Sequence, residues 1–350
     1  MGRNLHRRHA LILALALCAA TVHAEPDAAR AQTQVPSESR PAAATHAESY
    51  TDPDKIPYTE LFTEGADKAE VASCIQKGKN NLSHKSLCRI LEDSEHYRAY
   101  IRKRIKEMNL PPCLEYLPII ESGYKPTAKP ANGVSMGIWQ FMPNSVHPYM
   151  ELSDYVDERR DPWLSTDGAL KKLKENYKQF KDWPLALAAY NCGAGAVSRA
   201  LKKASEPTFI ALCNENLIPL HAQVYVPNFL KVADMIINAE YYGDTELARA
   251  SHTHHTENTP AGADNVRDTD DDYFFYTDFD YVTVNQSIDL NALALEMRLD
   301  PKILRELNLS LIKGVTPPGR AYKLRVPSGT ALSCLEAINA INNYSKNAEK

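Results

Sequence analysis

Leu117-Pro118-Ile119-Ile120-Glu121-Ser122-Gly123 sets one carboxylate at the end of an apolar run, directly before a chain-breaking Ser-Gly pair. The pattern predicts a short helix over 112–122 with Glu121 in its last turn. There the negative end of the helix dipole and the apolar neighbours both favour the protonated carboxyl. A carboxyl group poised near neutrality is suited to general-acid work. Taken alone, a glutamate in this position is more often a solvated helix end. The stretches downstream give this one its weight.

The first of these is Gly133-Val134-Ser135-Met136-Gly137-Ile138-Trp139-Gln140-Phe141-Met142-Pro143, where glycines allow close backbone approach and an aromatic residue sits beside an amide. An N-acetylated sugar ring asks for such a surface, with an apolar face to rest on and hydrogen bonds at its rim. The second, Asp157-Glu158-Arg159-Arg160-Asp161-Pro162, reads as a salt-bridged start to a helix, Asp161 preceding a proline in the first turn. The third runs from Trp183 through Ala188-Ala189-Tyr190-Asn191-Cys192-Gly193 to Gly195. Its alanines predict a tightly packed helix that ends at Tyr190-Asn191 beside glycines, presenting polar groups at its terminus. Tyr190 is placed to hydrogen-bond the Glu121 carboxyl, and Asn191 to cap the helix or to bind substrate.

Together these segments resemble family 1 lytic transglycosylases, most closely the membrane-bound lytic murein transglycosylase D type. The resemblance covers residues 85 to 235 and includes Ser165-Thr166-Asp167. It implies a mainly α, lysozyme-like catalytic domain that cuts the MurNAc–GlcNAc bond of peptidoglycan without water. The sugar's C6 hydroxyl attacks C1 and leaves a 1,6-anhydromuramoyl end. It also implies that Glu121 is the catalytic acid and then base, and that Gln140, Met142, Tyr190 and Asn191 line the sugar groove, Tyr190 nearest the glutamate. One carboxyl group is enough when the nucleophile belongs to the substrate, whereas most hydrolases need two. Accordingly, no second acid falls between Glu121 and Gln140.

This chain departs from the family pattern in places. Ala128-Lys129 is followed by Pro130 where relatives carry a serine, and Ser135 is a candidate to supply the missing hydroxyl. Pro219-Leu220-His221-Ala222 replaces an Arg-Glu-Thr segment, although Tyr225-Val226-Pro227 matches. These differences point to altered substrate preference more than to lost activity. The C-terminal unit is similar to a divergent LysM module of βααβ topology, a peptidoglycan and chitin binder. The match runs through Leu290, Leu293-Ala294, Leu304, Leu307-Asn308 and Leu324-Arg325-Val326-Pro327, with Ser287-Ile288-Asp289 in place of Gly-Asp-Thr. Glycan binding and simple packing against the catalytic domain are equally weighted roles for it.

The organisation along the 350 residues follows. Residues 1–24, with arginines at 3, 7 and 8, an apolar stretch and a cleavable Val22-His23-Ala24, read as a signal peptide. The expected location is therefore periplasmic or cell-wall associated. A lipoprotein anchor is disfavoured because Leu17 precedes Cys18. Residues 25–57 read as a flexible tether, 58–243 as the transglycosylase domain, 244–272 as a polar linker, 273–330 as the LysM-like module and 331–350 as a tail. Helical stripes recur at Tyr97-Ile101-Ile105-Met108, Leu170-Leu173-Tyr177-Phe180 and Phe229-Val232-Ile236, and prolines at 111, 112, 162, 184 and 227 mark helix starts or breaks. No stretch of the mature chain is long and apolar enough for a membrane span.

Loss of the signal takes the formal charge from −4 to −7, which argues against nucleic acid as a partner. Peptidoglycan glycan strands are the expected partner, and nothing in the motifs requires a metal or an organic cofactor. The remaining cysteines lack Cys-x-x-Cys spacing, and Cys74 with Cys88 is the best local disulfide pairing. His252, His254 and His255 lie in polar sequence typical of a solvated linker. Two other functions stand beside the transglycosylase: a lysozyme-type muramidase, and a non-catalytic peptidoglycan-binding protein.

Overall fold

The computed structural model describes residues 61–130, 133–252 and 279–348. The expected signal peptide, the tether, most of the polar linker, His254 and His255 lie outside the described residues. Ten helices are described before the linker: α1 (Lys68–Lys77), α2 (His84–Asp93), α3 (Glu95–Met108), α4 (Leu117–Ser122), α5 (Pro162–Phe180), α6 (Trp183–Cys192), α7 (Ala194–Leu201), α8 (Phe209–Asn214), α9 (Leu220–Ile237) and α10 (Thr245–Ser251). Their starts are set by side-chain caps. Asp67, Ser83, Asp161, Asp182, Thr208 and Asp244 each accept from a backbone N–H of the following first turn. The expected stripes supply the core, with Ile101, Leu170, Leu173, Phe229 and Val232 all buried.

Helix α6 is the axis of this unit. Every residue from Trp183 to Tyr190 is buried, and its alanines let α5, α7 and α9 pack close around it. Pro227 does not end a helix as expected but lies inside α9. Its carbonyl approaches the α1 terminus so closely that a Cβ on Gly78 would lie 2.1 Å from it. Asp244, expected to open the linker, instead caps α10, whose Leu247 and Ala250 are buried. The helical unit therefore runs through Ser251.

The expected disulfide is not formed. Cys74 and Cys88 are free, as are Cys113, Cys192, Cys213 and Cys334. Cys74 sits beside Glu70 and Cys213, whereas Cys88 turns toward His84, so the pair face different neighbours.

The second unit has the strand–helix–helix–strand order read from the sequence: β1 (Phe279–Val284), α11 (Leu290–Glu296), α12 (Pro301–Leu307) and β2 (Tyr322–Pro327), followed by α13 (Ala331–Ala348). The strands pair antiparallel, from Phe279 opposite Pro327 to Val284 opposite Tyr322. Val282, Leu290, Leu293, Leu304, Leu324 and Val326 build its core.

This module is docked on the helical unit. Val156 of the helical unit belongs to the module's core and bridges to Leu311. The Asp157 amide donates to Ser310 O at 2.8 Å, and the Ile312 amide to Tyr155 O at 3.0 Å. Arg325, 4% exposed, donates from Nη1 to the buried Asp161 carboxylate, and its guanidinium lies 4.9 Å from the ring centroids of both Trp163 and Phe279. Asp161 therefore caps α5 with one oxygen and holds the module with the other.

Removing one partner of a buried pair strands the other charge. Arg325→Met and Asp161→Asn, the latter keeping the cap, are each expected to destabilise the full chain by about 3 kcal/mol. In denaturant unfolding, the double variant should lose clearly less than the two single losses combined.

Candidate active site

Glu121 is held from below by a buried polar cluster. The segment leading to it, a 3-10 turn over Pro112–Tyr116, contributes Glu115, which accepts from Arg98 Nε at 2.7 Å and from Arg102 Nη1 at 2.8 Å. Arg98 is fully buried and also donates to Leu91 O and Ser251 O, which ties α2, α3 and α10 to this turn. Leu117 and Ile119 anchor α4 in the core. Gly123, at φ +61°, closes the helix with its amide on Pro118 O and Ile119 O. The expected last-turn placement of Glu121 holds.

The loop over 133–142 adjoins the end of α4. It folds on itself through the antiparallel bridge of Met136 with Phe141. Gly137, at φ +84°, is required here, since a Cβ would lie 1.7 Å from Arg159 O. Arg159, 6% exposed, is paired with Asp157 through Nε and Nη2, both at 2.8 Å, and its Nη1 donates to Val134 O at 2.9 Å and Phe141 O at 3.2 Å. Trp139 is fully buried and donates to Thr166 Oγ1 at 2.8 Å. Ser122 Oγ bonds Ile138 O at 2.9 Å, which joins the end of α4 to this loop.

Glu121 keeps partial contact with solvent. Burial nonetheless dominates its electrostatics and raises its carboxyl pKa from 4.5 to about 7. Two groups oppose that rise. Tyr225 on α9 donates its hydroxyl to Oε1 at 2.5 Å, and the Lys172 ammonium on α5 favours the carboxylate. Lys172 is itself half-buried. Burial pulls its pKa down while Glu121 pushes it up, and Nζ lies over the Phe141 and Tyr190 rings at 5.4 and 5.2 Å from their centroids. Burial also drives the Tyr225 and Tyr190 phenols well above their ordinary pKa, so both remain neutral donors. Among the described residues, the charged side chain acting on Glu121 is a cation, and no carboxylate contributes.

The structure brings Tyr190 within electrostatic reach of Glu121 but reassigns several of the expected contacts. Tyr190 does not bond the Glu121 carboxyl as expected. Its hydroxyl donates to Trp139 O at 2.8 Å, and its ring meets Phe141 edge-on. The hydroxyl on Glu121 is that of Tyr225. Nor does Ser135 replace the missing serine: its Oγ donates to Gln140 Oε1 at 2.7 Å. Gln140, at φ +49°, spends its amide on Ala128 O and Gly137 O, so it braces the loop from within. Met142 is exposed at the rim. Asn191 lies in the last turn of α6, with its buried Oδ1 lacking a hydrogen-bond partner.

Sequence reading missed two groups. Tyr225 had a signal in the matching Tyr225-Val226-Pro227 segment. Lys172 had none, since only the packing of α5 beside the loop and α6 reveals it.

A carboxyl group near neutrality, a phenol donor, a half-buried cation and an aromatic wall make a site for proton transfer to and from a bulky polar substrate. Residues 99–212, within the helical unit, match the transglycosylase SLT domain. Residues 278–342, the docked module, match the LysM-like domain of the lytic transglycosylase MltD. The chain is 34% identical over 156 residues to the membrane-bound lytic murein transglycosylase D of Escherichia coli strain K12, covering 43% of this chain and 33% of that protein. The same figures hold for the protein of that name from E. coli O6:H1. The chain thus spans about a third of the length of these curated relatives.

Removing Tyr225's donor or Lys172's charge deletes a group that favours the carboxylate. Tyr225→Phe and Lys172→Met should therefore each raise the Glu121 pKa above about 7, read by carbon NMR titration of its carboxyl.

Stability carries the opposite sign from that of an ordinary surface carboxylate. The folded pKa lies above the unfolded one, so the native state binds the proton more tightly and loses stability as pH rises through about 7. Glu121→Gln removes that loss. The variant should gain on the order of 2 kcal/mol over wild type at about pH 8 and little at about pH 4, measured by denaturant unfolding.

Proposed function

We propose that this chain is an exported peptidoglycan lytic transglycosylase in which Glu121 serves as acid and then base. The observation that carries the reading is a carboxyl group near neutrality on which, among the described residues, no second carboxylate acts. Hydrolytic glycosidases ordinarily flank the scissile bond with two carboxyl groups at about 5–9.5 Å from each other. A lone acid suits a reaction whose nucleophile is the substrate's own hydroxyl.

In the first step, protonated Glu121 gives its proton to the glycosidic oxygen between MurNAc and GlcNAc. The C1–O bond breaks, leaving positive character on the MurNAc ring. Glu121 is then a carboxylate, supported by the Tyr225 hydroxyl and the Lys172 charge. In the second step it takes the proton from the C6 hydroxyl as that oxygen bonds C1, which closes the 1,6-anhydro ring and restores the acid. No water is consumed. Gln140 and Ser135 shape the loop that walls the cleft, Met142 and Asn191 face or border the sugar, and the buried Phe141 and Tyr190 rings support them from behind. The LysM-like module is read as a second contact with the glycan strand.

The proposed location is the periplasm, with the wall as partner. Among the described residues, no helix is long and apolar enough to cross a membrane. Nothing in the proposed steps draws on a metal or an organic cofactor.

The test is mass spectrometry of soluble products from residues 25–350 incubated with peptidoglycan, beside Glu121→Gln. Anhydromuropeptides from the wild type alone are expected. Reducing ends would make it a muramidase, and sacculus binding without release from either form would make it a binding protein. The wild-type kcat/KM should fall as pH rises through about 7, because the acid form is the one that begins the reaction. Tyr225→Phe should lower the rate by roughly 10- to 100-fold, the range for a lost hydrogen bond to a charged group.

A further inference from the structure

Far along the chain from Glu121, the contact of α2 with α10 gathers side chains that the proposed reaction does not use. His84 and Cys88 stand one turn apart on α2 and share a face of that helix. Asp244 caps α10, and Glu246 lies in its first turn. His84 Nε2 is 2.9 Å from Asp244 Oδ2 and 3.0 Å from Oδ1. Nδ1 is 3.8 Å from Glu246 Oε2, and Cys88 Sγ is 3.9 Å from each of the two ring nitrogens. Ligand atoms of His84, Cys88 and Glu246 all lie within 4.8 Å of one another.

We propose that this cluster is a zinc site that clamps α2 to α10. His84 Nδ1, the Cys88 thiolate and the Glu246 carboxylate are the protein ligands, with water completing a tetrahedron. Asp244 accepts the Nε2–H of the coordinated ring.

The chemistry of the donors selects the ion. Magnesium and calcium take oxygen shells, whereas a thiolate with an imidazole and one carboxylate suits zinc. Ligands at about 2.0–2.3 Å from a tetrahedral centre stand roughly 3.3–3.7 Å apart. The 3.8 and 3.9 Å separations at Nδ1 lie close to that spacing, and ion binding draws in the three ligand atoms, now within 4.8 Å of one another, by side-chain rotation. Asp244 already sits where a carboxylate fixes the tautomer of a metal-bound histidine.

A His84–Asp244 ion pair by itself accounts for neither the thiol nor Glu246 on the same imidazole. Burial raises the Cys88 thiol pKa, and Glu246, Asp244 and Glu92 raise it further. A divalent cation reverses that balance: the S–H bond gives up its proton to solvent as the zinc–sulfur bond forms. The clamp would secure the start of α10, whose end is already held by Arg98 on Ser251 O.

The test uses the full exported chain, reduced and stripped with chelator, titrated with zinc and with cobalt(II). One equivalent bound at micromolar affinity or tighter, with a thiolate-to-cobalt charge-transfer band, is expected. Cys88→Ser and His84→Ala should each weaken binding by at least about tenfold, and Asp244→Asn by about 10- to 100-fold. His84→Ala retains every cysteine and so separates this site from adventitious thiol binding. Absence of binding, or binding and spectrum unchanged in both His84→Ala and Cys88→Ser, would overturn the proposal. Should the variants unfold, zinc-edge absorption on the wild type decides. A shell containing one sulfur and one imidazole supports the site, and a shell of oxygens alone refutes it.

Discussion

Arg159 is a buried cation, and the cleft is built from the groups that compensate its lost water. A guanidinium out of solvent needs its donors satisfied and its charge balanced. Asp157 supplies the charge, and the carbonyls of Val134 and Phe141 take the remaining bonds. Those carbonyls belong to the wall beside Glu121, so satisfying one charge fixes the shape of the site. The backbone takes part as well, because Gly137 lies against the Arg159 carbonyl with no room for a side chain. Asp157 is in turn placed by the hydrogen bond its backbone N–H donates to the Ser310 carbonyl of the docked module. Module, ion pair and catalytic wall form one continuous set of contacts.

The carboxyl group of Glu121 is a balance of opposed effects. Burial alone would keep it protonated and unable to act as a base. Tyr225 and Lys172 stabilise the charged form enough to bring it to about 7, where both forms are accessible. The two helpers come from different helices, α9 and α5, so tuning depends on the packing of these helices around α6. The alanines of α6 thereby link core packing to proton affinity.

Much of this was legible in the sequence because it rests on local rules. Gly123 ends α4 where the Ser-Gly pair said it would, Asp161 caps α5 ahead of Pro162, and the βααβ order follows from alternating patterns over short segments. What escaped was set by distant packing. Tyr190 and Tyr225 are 35 positions apart in the sequence, and no local pattern says which hydroxyl reaches the carboxylate. The intervening Trp139 carbonyl captures Tyr190. Lys172 looks like any surface lysine between Leu170 and Leu173 until the aromatic rings of the loop and α6 are placed beside it. The absent Cys74–Cys88 bridge is of the same kind, since spacing along the chain says little about which way two helices turn their thiols. Asp161 was read as part of a salt-bridged helix start, but the partner of that salt bridge, Arg325, lies 164 residues away.

A binding module on a loose linker acts by raising local concentration, and its contribution depends on linker length. Here Arg325 and Val156 hold the module against the cleft-bearing unit, and the covalent linker no longer sets its position. Anything the module grips stands at a fixed offset and angle from Glu121. On the proposed function, the pair would behave as a caliper, and the spacing of features along a strand, more than its abundance nearby, would decide whether both jaws can close.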